Sequence, residues 1–461
     1  MNNKTKLAAD SLGIGESITM GVAGAAPAFS ISVVTATLLA SVNTLAPASI
    51  LYCGLIMFGI TLAFIHLNKV MVNAGASYAW VSQIFGRNLG FFVGWAILVS
   101  SAVFMVSGSI PAATATLLLV APHKVGNLNW VTSVAGLWLT VISAIVFKGV
   151  KSASYAQVLM TVIEIFILLA IIVAGFVQYA ALPAHAFSFS WFSLGGFTPS
   201  SFATGALTAI FLYWGWDVTL NLNEETKNAR HAPGQGAFWS VLVIILLFVS
   251  FIVMALLVLS DREIQQAGTN VIFAIADKLF PRPWGYLAVL AIIVSTVGTL
   301  ETTILQFTRT LFAKGRDGVL HSRYAILHRS RNTPWVAILF IWLFGLLFLF
   351  LSSYFSTVNL MIQDSVKAIG FQVAFYYSLT GFASAWYYHA RWESLSDLIG
   401  CVLWPMMSAL FLVFIALFSI QTFDLVTNLV GLGGLLLGFV PFLLNAKTGR
   451  NRRRAQTIEK N

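Results

Sequence analysis

Apolar stretches of roughly 20 residues or more follow one another along most of the chain, parted by short polar or Gly/Pro-marked turns. About twelve can be drawn: 15–41, 46–66, 90–120, 129–147, 154–178, 200–222, 237–259, 285–312, 334–353, 358–387, 396–418 and 424–445. At a rise of about 1.5 Å per residue, that length crosses a hydrocarbon core about 30 Å thick, so each stretch predicts a transmembrane helix. The alternation of short segments that marks a membrane barrel is absent. The opening residues are polar, and span 1 lacks the small-residue cleavage pattern of a signal peptide, so the first helix is expected to be retained. The expected organisation is an N-terminal tail over 1–14, a single transmembrane domain over 15–445 and a basic tail over 446–461.

Composition removes the soluble alternative. Of 461 residues, 58% are apolar and 9% charged, against about 25% charged in ordinary globular proteins. Cys53 and Cys401 both fall inside apolar spans, which indicates neither a disulfide framework nor a metal site. The net charge of +10 could suggest a nucleic-acid partner, but the distribution of the charge argues otherwise. With both termini cytoplasmic, 21 of the 26 Lys and Arg fall on the cytoplasmic side and Lys124, Arg262, Lys278 and Arg282 outside, with Lys367 within a span. That asymmetry follows the positive-inside rule. The run Arg450 to Arg454 reads as an anchor on anionic lipid.

Two spans interrupt the helical pattern. Span 1 contains Gly21-Val22-Ala23-Gly24-Ala25-Ala26-Pro27, and span 6 contains Phe211-Leu212-Tyr213-Trp214-Gly215-Trp216-Asp217. Glycine and proline weaken helical hydrogen bonding, and non-helical backbone at membrane depth is tolerated only where it is buried in protein or lines a cavity. Counting residues puts the span 1 interruption roughly 9–18 Å and the span 6 interruption roughly 10–18 Å from the cytoplasmic ends of their spans, facing each other near the midplane. Half-helix ends there offer N–H groups to an anion and carbonyls to a cation, which suits a zwitterion. Interrupted helices in corresponding halves are the sequence mark of a transporter's binding site.

Carboxylates inside spans cost about 2.5–3.5 kcal/mol on insertion scales, so Glu164 and Glu301 are candidates for function. Both lie roughly 16 Å from the cytoplasmic ends of spans 5 and 8, which makes contact possible. Asp364 and Lys367 stand at i, i+3 and can pair. Glu224 and Glu225 begin a loop and are expected to be solvated or paired with loop arginines. The histidines form no metal-ligand cluster, no GxxxxGK[ST] phosphate loop is present, and no nucleophile with its base is visible. Neither a cofactor nor catalysis is expected. A channel would need a ring of polar groups, usually drawn from several subunits.

Asn73-Ala74-Gly75-Ala76-Ser77-Tyr78-Ala79-Trp80, with Phe85-Gly86, Gly90-Phe91 and Gly94-Trp95, resembles the helix 2 to helix 3 signature of amino acid-polyamine-organocation (APC) permeases. Two further stretches agree: Trp214-Gly215-Trp216-Asp217 with Asn223-Glu224-Glu225-Thr226 and Pro233-Gly234, and Arg309 with Arg316-Asp317-Gly318. The resemblance implies an all-α LeuT-type fold of two inverted five-helix repeats, about 15–178 and 200–387, with broken helices 1 and 6 and two extra helices at 396–445. It departs from the glycine-richer pattern of better-known members at Ala25, Ala26 and Pro27. It also implies that Phe211 closes over the ligand as an aromatic gate and that Asp217 either bonds to backbone as a cap or gates the inner side. Glu164 falls near a helix 5 lysine of some proton-coupled members, in a region where sodium-coupled relatives hold an ion. The expectation is a secondary transporter of the plasma (cell inner) membrane for an amino acid or related amine. In it Gly21, Val22, Ala23, Gly24, Ala25 and Ala26 receive a carboxylate, and Phe211, Leu212, Trp214 and Gly215 an ammonium. Glu164 and Glu301 couple transport to a proton or sodium ion. A polyamine or other organocation transporter of the same fold, and a sensor that binds without transport, are the alternatives.

Overall fold

The structure, a computed structural model, describes residues 6–352 and 358–444; the basic tail expected at 446–461 lies outside the described residues. Among these the chain is helical, and its one extended pairing is a bridge between Leu12 and Thr226. In chain order the helices are α1 (Ile14–Gly24), α2 (Pro27–Val42), α3 (Ala46–Val70), α4 (Ser77–Phe85), α5 (Arg87–Val120), α6 (Leu128–Lys148) and α7 (Val150–Tyr179). There follow α8 (Pro199–Leu212), the single turn α9 (Val218–Asn221), α10 (Ala232–Val258), α11 (Asp261–Ala267), α12 (Val271–Leu279) and α13 (Leu287–Arg316). The last are α14 (Trp335–Ser352), α15 (Val358–Tyr388), α16 (Leu395–Ile420) and α17 (Leu425–Leu444). By length and composition, 8 segments among the described residues can cross a membrane; the first, Ile14–Val70, holds three helices, and Pro199–Leu212 and Trp335–Leu351 are shorter apolar helices.

Spans 1 and 6 are each two helices, and local chemistry explains both partings. At α1 the Glu16 carboxylate accepts the Gly13 N–H at 3.0 Å, which places negative charge at the helix start. The helix ends because Pro27 has no N–H for the Ala23 carbonyl and its ring would clash there. Ala25 and Ala26 turn back onto the carbonyls of Val22 and Ala23 at 3.1 and 3.0 Å. Ala26 then takes the left-handed conformation, φ 48°, and Pro27 opens α2 at its first position. At the end of α8 the N–H groups of Tyr213 and Trp214 tighten onto Ile210 and Phe211 at 3.2 and 3.1 Å. Gly215, at φ 105°, then redirects the chain.

The partings touch. A Cβ on Gly24 would run into the Gly215 carbonyl, and one on Gly215 into the Gly24 carbonyl. Around this contact α1 packs on α7, α9, α10 and α13, while α2 packs on α8 and α15 on both α5 and α8. Helix α7 shows how such a helix is oriented. Tyr155, Leu159, Val162, Phe166, Val173 and Val177 are exposed, whereas Gln157, Thr161, Glu164, Leu168 and Ile171 are buried. An apolar exposed stripe and a polar-bearing buried one are what a helix between lipid and protein requires.

The Gly24–Gly215 contact yields the first prediction. Gly24→Ala forces backbone apart and should cost about 1–3 kcal/mol through overpacking; Gly215→Ala adds left-handed strain and should cost more. Gly15→Ala, with no atom within 4 Å of the new methyl, should be neutral or slightly stabilising. Thermal melting of the three variants in detergent checks the order.

Candidate functional site

A helix start leaves N–H groups without partners, and in a membrane no water supplies them. At α2 two of them are met by side chains from other helices. The Ala28 N–H donates to Glu164 Oε1 at 2.8 Å, and the Phe29 N–H to Ser295 Oγ at 3.1 Å. The carboxylate on α7 thus sits where the dipole of α2 favours negative charge. On the other side of the parting, Thr299 Oγ1 donates to the Ala23 carbonyl at 2.6 Å and Ser30 Oγ to the Ala25 carbonyl at 2.7 Å. Ser295 and Thr299, i and i+4 on α13, share a face.

The structure therefore brings Glu164 to the span 1 parting. Glu301 is elsewhere: its side chain on α13 is fully buried, neither oxygen has a hydrogen-bond partner, and no hydrogen bond joins it to Glu164. Gly21 and Gly24 lie inside α1, as do Val22 and Ala23. Gly21 packs on Ser240 of α10, where a Cβ would collide, and Gly24 on Gly215. Ala25 and Ala26 form the turn itself, with their N–H groups already bonded. Ser295 and Thr299 were not singled out in the sequence. The available signal was the hydroxyl-rich run Ser295, Thr296, Thr299, Thr302 and Thr303 in an apolar span.

At the second parting Phe211 is buried with Leu212 and Trp214. Its ring meets Phe29 edge-on at 6.5 Å and Trp214 at 6.4 Å. Phe104 closes the group, 5.9 Å from Phe29 and 5.4 Å from Trp214. Trp214 Nε1 donates to the Tyr376 hydroxyl at 3.0 Å, which donates to Asp217 Oδ2 at 3.0 Å. Asp217 also accepts from Tyr377 at 3.0 Å and Gln306 at 2.7 Å. Its side chain does not cap α9; it joins α9 to α13 and α15. The sequence had no marker for Tyr376, Tyr377 or Gln306, because their role exists only once α13 and α15 lie beside α9.

Toward the face that carries the N-terminus, polar groups close the bundle. Arg309 and Glu225, both fully buried, form a two-pronged pair at 2.8 and 2.8 Å. Arg316 holds Glu224 in the same way at 2.9 and 2.9 Å, and Glu224 also accepts the Ala74 N–H at 2.8 Å. The arginine partners of Glu224 and Glu225 are thus residues of α13 rather than of a loop. Ser11 and Leu12 donate to the Glu225 carbonyl at 2.9 and 3.1 Å, so the N-terminal segment lies against this closure. A cleft on the same face is lined by Asn73, Tyr78, Arg87 and Asp317, none of which belongs to either parting. On the far side of the partings a cavity of about 410 Å³ lies between α2, α8 and α15, lined by Thr37, Thr204, Leu207 and Lys367. A smaller one of about 80 Å³ ends on Phe29, Pro111 and Ile292. Lys367 stands 3.7 Å from Asp424, so the ion pair found is with the turn before α17 rather than with Asp364.

The model of the amino acid permease family matches residues 14–440. The chain belongs to that family. The permease is similar to the branched-chain amino acid permease BcaP of Lactococcus lactis, 26% identical over 309 residues, covering 62% of this chain and 64% of that one. It is also similar to the serine/threonine exchanger SteT of Bacillus subtilis, 28% identical over 61% of this chain and 62% of the other. The match thus spans less than two thirds of either relative's length. The large neutral amino acids transporter small subunit 2 of Mus musculus is 24% identical over 83% of the chain and 71% of its own length. These relatives are named as a permease, an exchanger and a transporter.

The buried pair supports a second prediction. Removing one partner of a buried ion pair leaves an uncompensated charge, at about 3–5 kcal/mol. Arg309→Met should therefore lower the melting temperature of the permease markedly. The double variant Arg309→Met/Glu225→Leu should recover most of the loss, since two apolar side chains leave no unpaired charge.

Proposed function

We propose that the permease is a secondary active transporter that carries an amino acid across the plasma membrane by alternating access. The observation that carries this reading is the contact of two helix partings beneath a cavity that opens away from the N-terminal face. A cavity on one side of the partings, with a dense polar closure on the other, is what alternating access needs in one of its states. The sequence count of basic residues, read by the positive-inside rule, supports a cytoplasmic N-terminal side, and the conformation then faces outward. The chain then makes twelve passes, α1–α2 and α8–α9 each counting as one. They form inverted repeats about 15–178 and 200–387, with α16 and α17 as the additional pair.

The substrate is a zwitterion with an uncharged side chain. Relatives named for branched-chain, serine/threonine and large neutral amino acids support this class. The rings of Phe29, Phe104, Phe211 and Trp214 offer an apolar wall. Glu164 and Asp217 are already engaged by donors of the protein, which disfavours a polyamine there. The carboxylate goes to the backbone between Gly21 and Ala26, the ammonium to the carbonyls from Phe211 to Gly215, and Phe211 closes over them. As the α1–α2 turn rearranges, it exchanges its internal bonds for bonds to the ligand. Asp217 passes the change to α13 and α15 and so to the Arg309–Glu225 closure.

Coupling resides at Glu164, with Glu301 as a second carrier. A carboxylate at the start of α2 interacts with the helix dipole; a protonated carboxyl keeps an acceptor for Ala28 but loses that charge. Proton binding is thereby tied to the geometry of the parting. Glu164→Gln preserves the acceptor in neutral form. Purified permease in liposomes should accumulate radiolabelled L-leucine or L-serine under an inward proton gradient, and Glu164→Gln should bind and exchange substrate without accumulating it. Equal accumulation by the variant would remove the proton role. Accumulation driven by a sodium gradient alone would transfer it to sodium, and binding without accumulation by the wild type would make the protein a sensor.

A further inference from the structure

Helices α6 and α14 pack on each other and leave a groove of about 320 Å³, walled by Phe147, Trp335, Leu339 and Trp342, none of which belongs to either parting. Leu137 and Val141 of α6 and Leu343 and Leu347 of α14 are exposed, so the groove opens toward hydrocarbon. Two hydroxyls line it. Thr140 is engaged, donating to the Gly136 carbonyl at 2.7 Å and accepting from Trp342 Nε1 at 3.1 Å. Ser143 is 5% exposed and its Oγ has no hydrogen-bond partner, although a hydroxyl on a helix can bond back to its own backbone. At the end of the groove nearer the N-terminal face the chain is basic. Arg331 lies over the Phe147 ring, 5.0 Å from its centroid, and donates to the Phe147 carbonyl at 3.5 Å. Lys148 follows Phe147, Lys151 lies in the first turn of α7, and Arg323 and Arg329 lie between α13 and α14. All of these cations are exposed, and among the described residues none of them forms an ion pair. No Asp or Glu occurs in 121–163 or 318–363, so neither segment supplies a counter-charge of its own.

We propose that this groove binds one anionic phospholipid of the membrane, its phosphate on Arg331 and Lys148, an ester carbonyl on Ser143 and an acyl chain along Trp335, Leu339 and Trp342. Each part of such a molecule has its counterpart. A guanidinium offers phosphate oxygens paired N–H donors, and cations beside a membrane attract anionic lipid. Ser143 precedes Lys148 by five residues, about 7.5 Å deeper along α6, on the side of the phosphate where the glycerol esters lie. Indole rings near the end of a span are interfacial anchors. A sterol matches the hydroxyl but leaves the cations without an anion, and free phosphate leaves the apolar groove empty. The bound lipid bridges α6 and α14, both of which pack against α13. The inference needs only that the chain lies in a membrane, and stands apart from the transport reading.

Purified permease in detergent is titrated with dioleoyl phosphatidylglycerol or dioleoyl phosphatidylcholine, and bound lipid is counted by native mass spectrometry. One phosphatidylglycerol should be retained with about fivefold preference or more, the effect of a single cation near an anionic surface, and should raise the melting temperature. The double variant Lys148→Gln/Arg331→Gln should lose the preference. Lys227→Gln/Arg230→Gln, which removes the same charge from exposed positions outside the groove, should keep it. Ala144→Phe, at an exposed position lining the groove, should weaken retention about threefold or more with every cation in place, by filling space the chain needs. Glycerol 3-phosphate, which has no acyl chain, should not displace the lipid. Equal retention of the two lipids by the wild type overturns the site, as does a preference that survives both groove variants. A preference lost equally in Lys227→Gln/Arg230→Gln, displacement by glycerol 3-phosphate, or a second copy of the chain retained in place of lipid overturns it too.

Discussion

Breaking a helix inside a membrane exposes backbone groups that have no water to turn to, and in this permease the answer to that constraint organises the rest. The α2 N–H groups of Ala28 and Phe29 and the α1 carbonyl of Ala23 are satisfied by Glu164, Ser295 and Thr299. These belong to α7 and α13, which therefore form the frame against which α1 and α2 are held. A single carboxylate both completes the hydrogen bonding of the parting and offsets the dipole of α2. A change at Glu164 or Ser295 thus acts on the direction of the half-helix as well as on local chemistry.

The second parting depends on the first through sheer proximity. Gly24 and Gly215 meet backbone to backbone, an approach that leaves no room for a side chain. With the partings held together, four aromatic rings pack largely edge to face beside them and Asp217 gathers Tyr376, Tyr377 and Gln306. From there α13 runs on to Arg309 and Arg316, which bind Glu225 and Glu224. One helix therefore carries Ser295 and Thr299 at the parting, Gln306 at the Asp217 junction and two arginines at the closure. A rigid element with contacts at all three levels is a physical route for coupling between them.

The polar interior is unevenly satisfied. Both oxygens of Asp217 and of Glu225 accept hydrogen bonds, whereas Glu301, in the same helix as Arg309, has none for either oxygen. Lys367 stands at the opposite extreme, accessible and loosely paired. Buried polar groups in apolar surroundings are normally matched, so Glu301 departs from the rule that Glu164, Asp217 and Glu225 follow.

The all-helical character and the positions of the two partings were legible in the sequence, whereas the short helices α4, α11 and α12 were not. Hydrophobic length is a local property, and so are the effects of Pro27 on Ala23 and of Gly215 on the chain direction. The stretches Gly21 to Pro27 and Phe211 to Asp217 contain the residues at which α1 leaves α2 and α8 leaves α9. The cost of a carboxylate in a span likewise marked Glu164, Glu301 and Asp217. Which groups those carboxylates meet was beyond the sequence. Glu164 reaches Ala28 across 136 positions, and Glu301, assigned the same depth by counting, points elsewhere because the packing of α13 sets its rotation. Lys367 had a partner in prospect three residues away, yet stands beside Asp424 of another turn. Depth and helicity follow from spacing along one helix, whereas facing partners depend on the azimuth of two, and only tertiary packing sets that angle.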